Sequence, residues 1–431
     1  MYLHIPYCRF RCAYCDFNTY AGLDDLIPTY GRALAREIRQ VGDFAPAGTG
    51  PVHTIFFGGG TPSLMPLVEY VEIFRALRAS FELTADCEIT LEANPGTVDQ
   101  PYLEGLRNLG VNRLSFGVQS SHAWELRLLD RQHTFADVIA AVRMARAAGF
   151  DPGGAGGYGL NLDLIFALPH QTLAMWQATL LRALALAPDH LSLYALSLEQ
   201  GTPMRSWVTA GLLPTPDPDL AADMYLWASD TLAAHGYQQY EISNWALTRG
   251  EGGRLKYETE ISASDPILPP SPSPAECWAG SLSPYFACRH NLQYWRNRPY
   301  LGFGAGAHGC AAGWRYSNVL APGAYIARID NAADGAGNAG RPFPFSPATV
   351  ETIPVTPETA MDETMMLGLR LVGEGVGEAD FQARYGQSID ARYARRLKRL
   401  MALGLLERVD QRVRLTPGGR LLGNRVFREF V

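Results

Sequence analysis

From Tyr2 to about Tyr240, short apolar runs alternate with segments in which apolar residues recur three and four apart. Residues 2–5, 52–57, 87–91, 113–118, 161–166 and 190–196 are nearly continuous in hydrophobicity, and each gives way to Gly, Pro or polar residues. That is the pattern of strands buried on both faces. Residues 27–41, 67–81, 137–148 and 173–186 carry the helical period instead. Repeated strand–helix units predict a parallel sheet with right-handed crossovers. Six units are too few to close an eight-fold barrel, so the expected α/β fold is an open, partial (β/α)6 barrel. Ligands of such a sheet sit at the carboxyl ends of its strands.

From about Pro357 the pattern becomes helical, over residues 362–371, 378–385 and 391–403. The β-like Arg412-Val-Arg-Leu415 follows, and three helices before a β-wing outline a winged helix. Two stretches interrupt the regular pattern. Residues 153–159, Gly-Gly-Ala-Gly-Gly-Tyr-Gly, read as a flexible insert. Asp265-Pro-Ile-Leu-Pro-Pro-Ser-Pro-Ser-Pro-Ala275 cannot form regular helix or sheet and reads as an exposed linker. The expected division is therefore a barrel at 1–247, a Pro/Ser-rich insertion at 248–287, a segment at 288–350 completing the core, and a helical, winged-helix-like domain at 356–431.

Composition narrows the class. A chain of 431 residues is long for one core, and 47% hydrophobic with 19% charged residues is ordinary for a globular protein. Net charge is −6, but residues 391–431 hold 11 Lys and Arg against 3 Asp and Glu. A basic winged helix raises nucleic-acid binding, yet Arg and Lys along helix faces are ordinarily solvated, and a lid docked over the barrel is the preferred expectation. No apolar run approaches the ~20 residues of a membrane span, and no basic n-region precedes the first strand. Seven cysteines with three in one loop are no disulfide framework, and free thiols of this kind belong in a reducing, cytoplasmic compartment.

That loop, Cys8-Arg-Phe-Arg-Cys12-Ala-Tyr-Cys15, holds the chemistry. Soft sulfur donors so close together suit zinc or an iron–sulfur cluster. Structural zinc needs four ligands, whereas the position two residues after Cys15 is Phe17 and the next cysteine is Cys87. Three thiolates suit a [4Fe–4S] cluster with one iron left open. Further candidates fall at strand ends: Gly58-Gly59-Gly60-Thr61, then Glu92, Gln119, Arg131 and Asp163. Consecutive glycines let backbone approach a ligand and offer it N–H groups. An acid in an apolar strand needs a partner, which for Asp163 is either an Arg131 ion pair or a ligand. His290, in His290-Asn-Leu-Gln-Tyr294-Trp295, is either a packed histidine or a metal ligand flanked by aromatics.

The C-x3-C-x2-C loop and the Gly59-Gly60-Thr61-Pro62 turn resemble the radical S-adenosylmethionine family. The full residue set resembles its oxygen-independent coproporphyrinogen III oxidase-like branch. The resemblance implies that Cys8, Cys12 and Cys15 hold a [4Fe–4S] cluster, while Tyr2, Gly59, Gly60, Thr61 and Glu92 line an S-adenosylmethionine site. Gln119, Arg131 and Asp163 match positions that touch a second S-adenosylmethionine in the dehydrogenase, and Tyr14 and Ser197 match further contacts more loosely. Two departures from the dehydrogenase stand out: Phe17 replaces an additional cysteine, and its N-terminal extension is lacking. Both point to the sister group of heme chaperones, whose HNxxYW element His290–Trp295 matches. The implied function is to bind heme and deliver it to apoproteins, membrane-bound respiratory proteins among them, without nucleic acid as a partner. The alternative is coproporphyrinogen III dehydrogenase, which oxidatively decarboxylates two propionates.

Overall fold

The computed structural model describes residues 1–47, 49–151, 158–248, 286–333 and 341–431. The glycine-rich insert and the Pro/Ser-rich insertion fall almost wholly outside these residues. Strands β1 (Tyr2–Ile5), β2 (Val52–Gly59), β3 (Leu83–Ala93), β4 (Arg113–Gln119), β5 (Gly159–Phe166) and β6 (His190–Ala195) lie side by side in chain order, all parallel. An antiparallel hairpin, β7 (Tyr237–Glu241) and β8 (Asn244–Leu247), extends the sheet beyond β6. At the other edge β9 (Gly302–Phe303) runs parallel to β1. The nine-stranded sheet keeps two edges that do not pair with each other, so the barrel is open, as the strand count predicts.

Alternation along the strands decides what faces where. Ile55 and Phe57, Ile89 and Leu91, Leu114 and Phe116, and Leu162 and Leu164 are buried in one apolar core with the outer helices. These are α1 (Ile27–Asp43), α2 (Leu67–Ser80), α3 (Gln100–Leu109), α4 (Phe135–Ala147), α5 (Leu173–Leu184) and α6 (Pro218–Ala234). Each such side chain contributes about 1.5–3 kcal/mol on burial. The intervening positions turn to the concave side: Ser115, Asn161, Asp163 and His190 bond to one another, while Thr54 and Glu88 bond to His290 and its neighbours. Helices α3 and α6 add to the four read from periodicity. Both are marked by their caps: Asp99 accepts from Tyr102 N at 2.9 Å and Gly110 ends α3 in the left-handed region, while Asp217 accepts from Asp219 N at 2.9 Å ahead of Pro218.

The edge beside β1 is held by a buried carboxylate. Glu37 of α1 accepts from Gly304 N at 2.8 Å, Asn318 Nδ2 at 2.8 Å, Tyr325 OH at 2.7 Å and Ser346 Oγ at 2.6 Å. Burial pushes its carboxyl up, and the four donors oppose that. Through Glu37 the small antiparallel sheet of His308–Ala311, Trp314–Asn318 and Thr349–Pro354 is fixed to the barrel.

Beyond it, helices Pro357–Gly368, Glu378–Tyr385 and Ile389–Ala402 pack with a three-stranded sheet of Val376–Gly377, Arg412–Leu415 and Leu406–Val409 around Met365, Phe381, Tyr393 and Leu397. This is the winged-helix outline. It docks on the barrel beside β7. Val372 N donates to Tyr240 O at 3.2 Å, Arg420 Nη1 to Gln239 Oε1 at 3.1 Å and Asn297 Nδ2 to Ala360 O at 3.2 Å. The domain thus covers the otherwise unpaired β7 edge, which a soluble sheet has to protect. Arg392, Arg408 and Arg412 pair with Asp362, Asp390 and Glu374, which lie outside residues 391–431, so part of the local positive surplus is neutralised within the domain. Among the described residues no helix is long and apolar enough to cross a membrane.

Replacing Glu37 by Ala strands four buried donors. The expected cost is about 3–5 kcal/mol in chemical denaturation, as when one partner of a buried charged network is removed. A loss below about 1 kcal/mol would show that the edge is held by apolar packing instead.

Candidate functional site

The cysteine loop leaves the carboxyl end of β1. Tyr7–Cys8 pairs with Tyr20–Ala21, closing the loop at its base. Its tip is fastened on both sides, by Ala13 N to Leu129 O at 3.4 Å and Met204 N to Ala13 O at 2.9 Å. Cys8, Cys12 and Cys15 are all partly exposed. Thr61 Oγ1 donates to Cys8 Sγ at 3.5 Å and Arg131 Nη1 to Cys12 Sγ at 3.5 Å. Burial pushes the Cys8 thiol up to about 11, with the Thr61 bond and the Arg131 charge opposing it. Such donors stabilise a thiolate once a metal has displaced the proton.

Ligands of one zinc ion converge on a point about 2.3 Å from each sulfur. Among the described residues no three His, Cys, Asp or Glu side chains converge in that way. Three thiols with no fourth ligand in the loop suit three irons of a cubane rather than a four-ligand zinc site. A cavity of about 240 Å³, lined by Phe10, Cys12, Thr61, Asn94, Arg131 and His133 among others, opens beside it.

The neighbouring strand ends build the rest. Glu92 Oε2 accepts from Gly59 N at 3.1 Å. Burial, helped by the charge of Asp163, pushes the Glu92 carboxyl up to about 8 against that bond. Gly59 has φ +112°, and a Cβ there would lie 2.4 Å from the His4 ring; at Gly60 one would lie 2.6 Å from Tyr7 O. Glycine is therefore required by protein packing. The N–H groups of Gly59, Gly60 and Thr61 go to Glu92, Ile5 O and Tyr7 O, which corrects the expectation that the turn offers them to a ligand. Tyr2 bonds His4 Nδ1 at 2.8 Å, one layer below.

Arg131 Nη2 donates to Asn94 Oδ1 and to Gly117 O at 2.6 Å, clamping the ends of β3 and β4 to the loop. It does not bridge Asp163. Asp163 accepts from Ser115 Oγ at 2.9 Å and Asn161 Nδ2 at 2.8 Å, so the ion-pair alternative fails because neutral neighbours satisfy the carboxylate first. Burial raises the Asp163 carboxyl, and these bonds oppose it. Gln119, at φ +66°, sits on a bulge where β4 slips against β5. Burial also raises the Tyr14 phenol, against the charge of Arg131. Ser197 is exposed and donates to Glu199.

One predicted residue lies elsewhere. The ring of His290 is buried at the opposite end of the barrel, stacked on Phe56 at 5.1 Å. Nδ1 bonds Thr54 Oγ1 at 3.0 Å and Nε2 bonds Tyr294 OH at 3.0 Å. Burial holds its pKa well below the usual range, so the imidazole is neutral. Thr54 precedes Gly59 by five strand residues, or roughly 16 Å at ~3.3 Å each. Helix Arg289–Trp295 plugs this floor, with Glu88 accepting from Arg289 N and His290 N at 3.0 Å each and lying 3.6 Å from Arg113. Asn94, Ser115, Asn161, His190 and Glu88 were not singled out by sequence motifs. Polar residues at every second position of an apolar strand were their signal.

Residues 2–183 match the Radical SAM superfamily and residues 355–422 the HemN C-terminal domain. The fold is similar to that of coproporphyrinogen III oxidase (HemN) from Escherichia coli, a radical SAM enzyme, with a TM-score of 0.75 at 23% identity over 100% of this chain and 89% of that one. Fold and three-thiol loop together define a radical SAM protein, a class that implies a [4Fe–4S] cluster and S-adenosylmethionine. The chain is 35% identical to heme chaperone HemW of Bacillus subtilis, over 100% of its length and 98% of the relative's, and 31% identical to that of Lactococcus lactis, over 100% and 96%. It belongs to the family of heme chaperone HemW.

Anaerobic reconstitution should load about four irons per chain. Cys8→Ala, Cys12→Ala or Cys15→Ala should each abolish the cluster, whereas Cys87→Ala, Cys288→Ala and Cys310→Ala should keep it. Full iron and sulfide in Cys15→Ala protein would refute the assignment.

Proposed function

We propose that this chain binds a [4Fe–4S] cluster, S-adenosylmethionine and heme, and hands heme to apoproteins in the cytoplasm, membrane-bound respiratory proteins among them. The observation that carries the reading is identity along the whole chain to relatives named heme chaperones. Phe17 supports it. It is 64% exposed on the loop, where the dehydrogenase has a further cysteine.

When bound, the cluster supplies one electron and an open coordination position. The chain's own residues do the rest. Thr61 and Arg131 direct donors at the sulfurs of Cys8 and Cys12. Glu92, its carboxylate oriented by Gly59 N–H, would receive the cationic ammonium of S-adenosylmethionine. Tyr2, Tyr14, Gly60, Gln119, Arg131 and Asp163 complete the pocket. At the floor, neutral His290 would hold heme iron through one ring nitrogen, Nε2 or Nδ1, in place of its present bond to Tyr294 or Thr54.

The Glu92 carboxyl titrates at about 8 in the free protein and is ionised when paired with the ammonium. Binding therefore releases a proton below that pH. Affinity for S-adenosylmethionine should rise from pH 6 towards 8, by up to about tenfold per unit. Glu92→Gln should weaken binding and flatten the profile in calorimetric titrations; a wild-type affinity independent of pH would return Glu92 to a structural role.

The chaperone and enzyme readings separate directly. Hemin should bind, and His290→Ala should shift its Soret band and weaken its retention without changing cluster iron. Coproporphyrinogen III, given with S-adenosylmethionine and reductant, should remain unconverted. Protoporphyrinogen formed at enzymatic rates would establish the dehydrogenase instead.

A further inference from the structure

Asn94, the residue that follows β3, joins the two side chains aimed at the cysteine loop. Its Nδ2 donates to Thr61 Oγ1 at 3.0 Å, and its Oδ1 accepts from Arg131 Nη2. Thr61 Oγ1 in turn donates to Cys8 Sγ at 3.5 Å, and Arg131 Nη1 donates to Cys12 Sγ at 3.5 Å. One amide is thus bonded to both groups that reach the sulfurs. Its own backbone is fixed, because Asn94 O accepts from Thr97 N at 3.0 Å and Thr97 Oγ1 at 2.8 Å.

The chemistry sets the direction of each bond. A guanidinium has no acceptor, so the Asn94 atom facing Arg131 is the carbonyl oxygen. The amide nitrogen therefore faces Thr61 and takes up a lone pair of its hydroxyl. The Thr61 hydrogen is then left for Cys8 Sγ instead of being drawn to Asn94. Thr61 is buried, so its hydroxyl depends on protein partners. Arg131 is held from a second side, with Nη2 donating to Gly117 O at 2.6 Å.

Hydrogen bonds to the sulfurs of an iron–sulfur cluster help set its reduction potential. A donor stabilises the reduced cluster, which carries one more electron, by more than the oxidised one. We infer that Asn94 is a positioning residue that raises the reduction potential of the cluster, by directing the Thr61 hydroxyl at Cys8 and the Arg131 guanidinium at Cys12. The inference rests on the proposed [4Fe–4S] cluster and concerns how readily that cluster accepts its electron.

The test is a redox titration of the anaerobically reconstituted full chain with dithionite, followed by electron paramagnetic resonance. S-adenosylmethionine is left out, so that the potential reports the protein alone. Thr61→Val removes one donor and should disfavour reduction by about tenfold, or about 59 mV towards lower potential for one electron. Thr61→Ser keeps the hydroxyl and should titrate like wild type. Asn94→Leu should lower the potential at least as far as Thr61→Val, with iron and sulfide content unchanged. On the Asn94→Leu background, Thr61→Val should shift the potential less than about half as far as it does in wild type. Asn94→Asp serves where Asn94→Leu does not hold iron. Its carboxylate still accepts from Arg131 but draws the Thr61 hydrogen away from Cys8, so the potential should fall and Thr61→Val should again add little. Wild-type potentials in iron-replete Thr61→Val and Asn94 variants, equal shifts in Thr61→Ser and Thr61→Val, or a full Thr61→Val shift on the Asn94 background would each overturn the inference alone. A wild type that loads no cluster would overturn the functional reading and the inference with it.

Discussion

A polar side chain on the concave side of a parallel sheet is cut off from bulk water, so it has to be matched by another group there. That constraint organises this molecule. The outward positions of β2 to β5 are apolar and build the helix-covered core, while the inward ones carry acids, amides and hydroxyls that bond in layers. At the floor, Glu88 and Arg113 are both buried, and desolvating two ions costs several kcal/mol each. The cost is offset because Glu88 also takes two backbone N–H groups from helix Arg289–Trp295. The plug helix is thereby part of the interior, although it follows β6 by almost a hundred residues.

The two ends of the barrel solve different problems. At the mouth, partly exposed thiols and raised carboxyls leave groups ready to accept cationic and metal partners. At the floor, both ring nitrogens of His290 are engaged and the ring is enclosed. Glu37 does on the β9 edge what Glu88 does at the floor, gathering donors from distant segments on one carboxylate. The C-terminal domain covers the other edge, where β7 would otherwise present unpaired backbone.

The sheet was legible because its signal is local. Every predicted barrel strand forms, and β3 differs most, starting at Leu83 because its amino half is partly exposed and lacks the continuous apolar run. The cysteine loop announced itself by spacing. The roles of Glu37, Glu88 and Tyr240 did not, since their partners lie from 25 to 309 positions away and no periodicity encodes such pairs. The glycine turn was legible as a place of close approach, and His4 and Tyr7 are among the groups that approach it. The surface that the helical domain covers was not legible, because it depends on where a sheet edge is left unpaired.

The distance between the two ends limits what the fold can do with a porphyrin. A macrocycle ligated by His290 would be held at the start of β2, roughly 16 Å of strand from the turn beside the cysteine loop. A group activated at the mouth cannot touch a substrate held there. Chemistry on a porphyrin requires it at the strand ends, within contact of Glu92, Asp163 and the open face of the loop. A porphyrin at the floor would be out of that reach. Between Asp163 and Tyr240 the buried groups are hydrogen-bonded at every step, and burial holds the His190 imidazole neutral. The same barrel can thus serve catalysis or carriage, depending on which end holds the macrocycle.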